Sequence, residues 1–426
     1  MNPSRPAIRP ADVRIDDLTA PRFAPAVAEM MAAVAPFAAD APLTAEGLMV
    51  QASAETGLDD FGDDWFREPF SVVLQALATE AGLSPFGRVS ASMQFLQLLK
   101  NRLLIQDVLR RHPEVSDIPI ERPIVIAGLP RTGTTHLHNL ISSDPSLRSL
   151  PYWESLEPVL AESERPASGE PDPRLARTEA ALLFLDQALP LFKRMHEMTT
   201  WHVHEEIQLL AIAGSTMLFE TSAVMPSWRE WYKANDQTPA YRYLRTVLQV
   251  LQWQRGGTRW VLKSPQHLEQ FGPLVKVFPD ATFVVTHRDP VSITASLATM
   301  ISYTARMSQE HVEPAVIGRY WADRLVAMLE SCTRDRHLLP ADQSIDIGFN
   351  EFMADDLAAV ERVYRLAAQP MTPSVHAATQ DFMAEHPRGK HGRVGYDLAD
   401  LGLDRAACRA AFAFYLERFA VDEEPA

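Results

Sequence analysis

Residues 122–141, RPIVIAGLPRTGTTHLHNLI, most constrain what this chain can fold into. Positions 124–129 form a short apolar, β-branched run, which is typical of a strand buried on both faces. The run ends in a glycine-containing loop, and 132–135 are predicted to form the first turn of a helix. A strand, tight loop and helix in succession can bind an anion, because free backbone N–H groups and the helix dipole converge there.

The loop departs from a nucleotide-binding P-loop at one position. Gly128, Gly133 and Thr135 match the spacing of G-x-x-x-x-G-K-[ST], but Thr134 occupies the lysine place. Arg131, inside the loop, is the nearby cation. The sequence therefore predicts a phosphate site without the lysine that reaches the β- and γ-phosphates, which argues against an ATPase.

Composition limits the class of protein. The 426 residues are 46% hydrophobic, which is enough for a large core, and the net charge of −15 argues against a nucleic-acid surface. Two cysteines, no apolar N-terminal stretch and no membrane-length apolar run predict a cytoplasmic protein without disulfides, signal peptide or transmembrane segment. The most apolar stretch, 209–225, is predicted to be a buried helix. A homodimer is left open.

The order of predicted elements indicates an α/β fold. Residues 1–20 are expected to be loosely ordered, and 21–113 show helical periodicity. Further strands are predicted at 259–263, 282–287 and 344–349, each followed by a helical segment. We expect a P-loop-like, doubly wound parallel sheet, with ligands at the carboxyl ends of its strands. A tail and helical N-terminal layer would span 1–120, and the α/β domain 121–426, with a substrate-covering helical insertion at about 174–255.

Cations recur where the predicted strands end. Lys263 ends one strand, and Arg288 ends the next, with Ser296 on the helix that follows. A late glycine-containing loop adds Arg388, Lys390, His391 and Arg393. Several strand-to-helix turns that each offer a cation or a helix N-terminus suit a ligand with phosphates in more than one place.

Taken together, residues 120–400 resemble the sulfotransferases that use 3′-phosphoadenosine-5′-phosphosulfate (PAPS). The resemblance is closest to a bacterial branch, and it is carried by PRTGTT at 130–135, KSPQH at 263–267, THRDPVSITAS at 286–296 and KHGR at 390–393. It implies that PAPS is the co-substrate and that no metal is required. A nucleotide-dependent kinase or phosphotransferase, and a non-catalytic nucleotide-binding protein, are the alternatives.

The resemblance also implies roles for individual residues. Arg131 and Lys263 would stabilise the charge that builds on the leaving phosphate, together with a loop that holds the 5′-phosphosulfate through Thr132, Gly133, Thr134 and Thr135. Arg288 and Ser296 would hold the 3′-phosphate, and Lys390 and Arg393 would assist from the late loop.

The acceptor hydroxyl or amine also needs a general base. The sequence offers Glu154, in YWESLEP, and His204 and Glu205, in WHVHEEI; we favour Glu154 because it follows the anion loop closely. The insertion is rich in Trp, Phe and Met, which suits a small apolar acceptor, although these residues would equally form a core. His136 and His138, on the first predicted helix, are interpreted as packing residues.

Overall fold

A parallel four-stranded sheet lies at the centre of the computed structural model, which describes residues 10–387 and 389–424. Its strands are β2 (Ile124–Ala127), β3 (Val261–Ser264), β4 (Thr282–His287) and β5 (Ser344–Gly348), in the spatial order β3-β2-β4-β5. A second, two-stranded sheet pairs β1 (Val13–Arg14) with β6 (Val394–Gly395).

Helices surround the central sheet and connect its strands. They are α1 (Pro25–Val34), α2 (Ala45–Thr56), α3 (Arg67–Thr79), α4 (Pro85–Arg111), α5 (Thr134–Ser142), α6 (Tyr152–Leu156), α7 (Pro173–Ala188), α8 (Phe192–Met195), α9 (Ile207–Ile212), α10 (Pro226–Ala234), α11 (Thr238–Arg255), α12 (Phe271–Val277), α13 (Pro290–Ala305), α14 (Pro314–Asp335), α15 (Phe349–Ala354), α16 (Asp356–Ala367), α17 (Pro373–Glu385), α18 (Arg405–Ala411) and α19 (Ala413–Phe419). Short 3-10 helices occupy Ala35–Ala38, Asp64–Phe66, Pro113–Asp117, Glu162–Glu164, Met217–Thr221, Pro265–Glu269, Arg336–Leu338 and Leu398–Leu401. No helix within the described residues is long and apolar enough to cross a membrane.

The sheet is covered on both faces, as its continuous apolar strands require. Ile124 and Ile126 point into a core that they share with α5, α16 and α17. Val125 and Ala127 point the other way, into a larger core with α3, α4, α11, α13 and α14. This confirms the predicted doubly wound α/β arrangement.

The strand order places the anion loop at the centre of the sheet. The chain passes from β2 to β3 on one side, and then returns to β4 on the other side of β2. The carboxyl end of β2 is therefore a topological switch point, where open α/β sheets leave a crevice for a ligand. The register brings Ile126 beside Lys263 and Ala127 beside Val285, so the turns after β2, β3 and β4 all reach this edge.

The predicted buried helix over 209–225 is wrong as a single element. The stretch is buried, but α9 ends at Ile212 and a 3-10 helix begins at Met217. Gly214 lies between them with φ +76°, and a Cβ there would come within 2.2 Å of the Phe70 ring. The backbone turns here because only a glycine fits against that ring.

The N-terminal region is more ordered than its composition indicates. Residues 1–9 lie outside the described part, but Val13 pairs with Val394 in β1 and β6. The carboxylate of Asp17 accepts two hydrogen bonds, at 3.0 and 2.8 Å, from the buried guanidinium of Arg306. The helices α1–α4 form the expected helical layer, and a domain boundary near residue 120 stays a prediction.

Candidate active site

A cavity of about 750 Å³ opens at the carboxyl edge of the sheet. Its polar side is formed by Glu205, Lys263 and Arg288 and by residues 130, 131 and 133–136. Its apolar side includes Phe192, Ile207, Met217, Leu297, Ile301 and Trp321, from α8, α9, α13, α14 and the 3-10 helix after α9. The rest of the lining is mainly apolar, with a few polar side chains among it (Gln208, Thr221, Ser222, Thr304 and Ser308).

The anion loop has the close backbone packing that its glycines predict. A Cβ at Gly128 would lie 1.9 Å from Thr286 Oγ1, and Gly133 precedes α5 with φ +82°. The hydroxyl of Thr132 donates to the carbonyl of Leu129 at 2.7 Å and lies 2.9 Å from Thr286 Oγ1. Thr132 thus fixes the shape of the loop. The first N–H groups of α5 have no acceptor within the helix, and Thr134 and Thr135 at its start line the cavity.

Arg131 lies at the cavity wall, but its guanidinium is held by the protein. It donates to the carbonyl of Met195 through Nη1 and to Ser296 Oγ through Nε, the latter at 3.2 Å. Burial lowers its pKa from the ordinary value. Ser296 is buried beside Arg131 and is not among the residues that line the cavity. The structure therefore brings Ser296 to Arg131 rather than to Arg288.

Lys263 reaches the charged end of the cavity from the carboxyl end of β3. Its Nζ donates to the Glu205 carboxylate and lies 3.4 Å from Thr135 Oγ1, in the first turn of α5. The side chain of Lys263 is 3% exposed and that of Glu205 20% exposed. Of the described residues that line the cavity, Glu205 alone carries a carboxylate.

The neighbouring Glu206 has a different environment. It is buried, and it accepts hydrogen bonds from the backbone N–H of Lys263, at 2.8 Å, and from His267 Nε2. His267 Nδ1 in turn lies 2.8 Å from the hydroxyl of Tyr241. Burial raises the pKa of Glu206, but the charge and hydrogen bond of His267 outweigh it, so the pKa lies below its ordinary value. Glu206 holds the end of β3 in place.

His204 lines the cavity beside Tyr152. The backbone N–H of His204 donates to the carbonyl of Leu150 at 2.7 Å, and this contact brings its ring within 4.7 Å of the Tyr152 ring. His204 Nδ1 lies 3.0 Å from Nε2 of His202. Burial, and then the neighbouring histidines, hold the pKa of His204 well below its ordinary value. The imidazole is therefore neutral at pH 7.

Glu154, the base favoured from the sequence, does not line the cavity. Its carboxylate is buried and accepts hydrogen bonds from Arg148, at 2.6 Å, and from Arg255, at 3.2 Å. Tyr152, two residues earlier on α6, lines the cavity instead. Residues two apart on a helix point in nearly opposite directions, so one short helix sends Tyr152 to the cavity and Glu154 away from it.

Arg288 lies on the cavity wall directly after β4. Its guanidinium carbon is 3.9 Å from the centroid of the Phe349 ring. Its Nη1 donates to the carbonyl of Arg131, while Nε and Nη2 donate to the carboxylate of Glu424, at 2.6 and 2.7 Å. Neither Phe349 nor Glu424 carries a local sequence signal for this site, because both reach it from distant parts of the chain.

The late basic loop contributes less than its composition indicates. Lys390 forms an ion pair with Glu197 at 2.8 Å, across the cavity rim. Arg393 is exposed and does not line the cavity; its backbone N–H donates to Asp12 at 3.0 Å. Gly389 lines the cavity, and Arg388 lies outside the described residues.

His138 and His196 differ in their position relative to the cavity. His138 is buried on α5, and burial together with the charge of Lys263 lowers its pKa to about 3, in agreement with a packing role. His196, for which no sequence pattern indicates a role, lines the cavity from the turn after α8. Within 10–387 and 389–424, no group of three or more His, Cys, Asp or Glu side chains is placed to bind a metal ion.

Comparisons with known proteins match this chain to sulfotransferases. Residues 123–373 match the model of the family described as "Sulfotransferase family". The sulfotransferase STF1 from Mycobacterium tuberculosis H37Rv is 31% identical, with a TM-score of 0.76 over 87% of this chain and 98% of that one. STF9 from Mycobacterium avium is 27% identical, with a TM-score of 0.80 over 91% and 99%. A search of curated proteins gives no match.

Proposed function

The chain belongs to the sulfotransferase family, and on that basis we propose that it transfers a sulfuryl group from PAPS to the hydroxyl or amine of a small apolar acceptor. One observation supports this proposal above the others. The N-terminus of α5, the Lys263 ammonium and the Glu205 carboxylate converge in a cavity that also has a largely apolar wall.

The donor would lie along the polar side of the cavity. The first N–H groups of α5 and the ammonium of Lys263 suit the 5′-phosphosulfate, because they place positive charge at one point. Arg288 lies on the same wall and suits the 3′-phosphate, since a guanidinium edge binds phosphate with two parallel hydrogen bonds. Arg131 acts by joining the loop to α13 through Ser296.

Sulfuryl transfer resembles phosphoryl transfer, so catalysis consists mainly of positioning and charge stabilisation. The acceptor oxygen forms a bond to sulfur as the bond between sulfur and the bridging phosphate oxygen breaks. The proton of the acceptor passes to a base, and the negative charge moves onto the 5′-phosphate of 3′,5′-ADP. Lys263 and the N–H groups of α5 would stabilise that charge.

We assign the base to Glu205. Its carboxylate lies in the cavity beside Lys263 and the start of α5, whereas Glu154 and Glu206 are enclosed by other partners. His204 is the second candidate, because its neutral ring also lines the cavity. A carboxylate next to the reacting centre requires the shortest proton transfer.

The acceptor would occupy the apolar part of the cavity. Met217, Leu297, Ile301 and Trp321 line an apolar surface that favours an aliphatic or ring-bearing body. Its hydroxyl or amine would then point toward Glu205. The apolar acceptor expected from the sequence would thus have a specific binding surface in the cavity.

Ligand-induced stabilisation tests the donor assignment. We expect 3′,5′-ADP, without added magnesium, to raise the melting temperature, because a ligand that binds only the folded state stabilises it. ATP with magnesium should raise it less. An unchanged melting temperature with 3′,5′-ADP, or a larger shift with ATP and magnesium, would contradict the proposed donor.

A further inference from the structure

The carboxylate of Glu424 occupies the edge of Arg288 that a phosphate would use. It accepts from Nε at 2.6 Å and from Nη2 at 2.7 Å, which is the two-point geometry of an arginine–phosphate contact. The side chains of Arg288 and Glu424 are 19% and 18% exposed, so the pair is shielded from much of the solvent. Arg288 lines the cavity, whereas Glu424 is not among the residues that line it.

The other surfaces of the Arg288 guanidinium are already engaged. Nη1 donates to the carbonyl of Arg131, and the Phe349 ring covers one face at 3.9 Å. The Nε–Nη2 edge is therefore the edge at which a 3′-phosphate can accept two hydrogen bonds without displacing the Arg131 carbonyl. Glu424 and the phosphate would compete for that edge.

Further contacts hold Glu424 in this place. Its backbone N–H donates to Asp289 Oδ2 at 3.0 Å, and its carbonyl accepts from Arg405 Nη2 at 2.7 Å. The two preceding acids are also bound: Glu423 pairs with Arg409 at 3.3 Å, and Asp422 accepts from Asn350 at 3.1 Å. Residues 422–424, which we call the acidic segment, thus lie in a defined position on α15 and α18.

We propose that the acidic segment is an internal competitor of the donor, which occupies the 3′-phosphate subsite until PAPS or 3′,5′-ADP displaces Glu424. The proposal rests on the proposed function, because it takes Arg288 as the 3′-phosphate ligand. A phosphate carries more charge than a carboxylate and binds arginine more strongly, but the attached segment has a high effective concentration. The apparent affinity for the donor is therefore the intrinsic affinity multiplied by the fraction of molecules in which the subsite is free.

The consequence is selective for the 3′-phosphate. Donor and product both carry that group, so both must displace Glu424, whereas 5′-AMP lacks it and has no need to. The segment would also pair with Arg288 again once 3′,5′-ADP leaves, which favours release of the product over its retention.

The test compares Glu424→Gln with the matched variant Glu417→Gln, which removes the same charge from an exposed residue outside the acidic segment. Titration calorimetry with 3′,5′-ADP and with 5′-AMP is carried out on both variants and on the wild type. We expect Glu424→Gln to bind 3′,5′-ADP about 10-fold more tightly, with 5′-AMP unchanged. Glu417→Gln should change either affinity by less than about 2-fold.

Different outcomes identify different errors. Equal 3′,5′-ADP affinity in Glu424→Gln and wild type overturns the competition, and so does an equal gain with 5′-AMP or in Glu417→Gln, because each indicates only a general charge effect. If 3′,5′-ADP binds none of the three proteins, the proposed donor itself is wrong. Hydrogen exchange gives a second readout: 3′,5′-ADP should speed exchange at the backbone N–H of Glu424 in the wild type, and unchanged or slower exchange overturns displacement.

Discussion

The ammonium of Lys263 and the carboxylate of Glu205 are paired at the end of the cavity that faces the first turn of α5. The pair joins the end of a core strand to the insertion that covers the cavity. Lys263 is nearly fully buried, and Glu205 is the more accessible partner. In the proposed reaction, Lys263 would lie on the side of the leaving phosphate and Glu205 on the side of the acceptor.

Glu205→Gln should lower kcat strongly while 3′,5′-ADP still binds. A positioned general base contributes about 100- to 10,000-fold, and the amide keeps the shape but cannot take the proton. Steady-state kinetics with PAPS, together with calorimetry of 3′,5′-ADP, measures both. Turnover within about 3-fold of wild type would exclude Glu205 as the base and favour His204.

Glu154→Gln is the matched comparison, and here the expected loss is in stability. The substitution leaves Arg148 and Arg255 without their carboxylate partner, and breaking a buried ion pair costs about 3 kcal/mol. Urea unfolding should show this loss, while kcat of the folded protein changes little. Normal stability combined with lost turnover would restore Glu154 as the base.

Arg288→Ala should weaken 3′,5′-ADP binding by at least about 10-fold, with little effect on 5′-AMP, since a charge-assisted pair of hydrogen bonds is lost. Arg393→Ala is the control, because Arg393 is exposed and does not line the cavity. Calorimetry with both nucleotides gives the comparison. Equal losses for the two nucleotides would indicate that Arg288 does not bind the 3′-phosphate.

Gly128→Ala should destabilise the anion loop and weaken donor binding. The new Cβ would meet Thr286 Oγ1 at 1.9 Å, so the loop or β4 must move, at a cost of about 1–3 kcal/mol. Gly272→Ala, on α12, meets only Leu338 at 3.8 Å and should be neutral or stabilising by up to about 1 kcal/mol. Urea unfolding and 3′,5′-ADP titration measure both effects. Equal stabilities of the two variants would contradict the close packing at Gly128.

Stability should fall with acid because of His138. Its pKa is about 3 in the folded protein, below the ordinary value of 6.5, so between these values the unfolded chain binds a proton that the folded chain does not. The stabilising contribution is full above pH 6.5 and is lost as the pH falls toward 3, at about 1.4 kcal/mol per pH unit. His138→Gln should reduce the difference in unfolding free energy between pH 7 and pH 5. An unchanged difference would contradict a neutral, buried His138.

Local patterns predict the sheet and the anion loop well, because strand, glycine turn and helix start are encoded within about 20 neighbouring residues. The turns that carry Lys263 and Arg288 are also predicted, since parallel strands end at one edge. The position of each candidate base relative to the cavity is not predicted by local patterns. Glu154 lies on the short helix α6, and Glu205 lies just before α9. The direction of each carboxylate depends on its partner, which is Arg148 for Glu154 and Lys263 for Glu205.

Long-range contacts set the remaining differences. Gly214 interrupts a stretch whose apolarity alone indicates one helix, because Phe70 fills the space beside it. Ser296 has the expected helical position, but Arg131 is its partner. The contact between Arg288 and Glu424 joins residues 136 positions apart, and no periodic pattern signals it.

The most direct measurement follows the transferred group itself. The protein is incubated with a pool of apolar alcohols, phenols and amines and either ³⁵S-labelled PAPS or γ-³²P-labelled ATP with magnesium. We expect ³⁵S-labelled product from the wild type, loss of that product in Glu205→Gln, and no ³²P-labelled product. Transfer of ³²P in place of ³⁵S would contradict it.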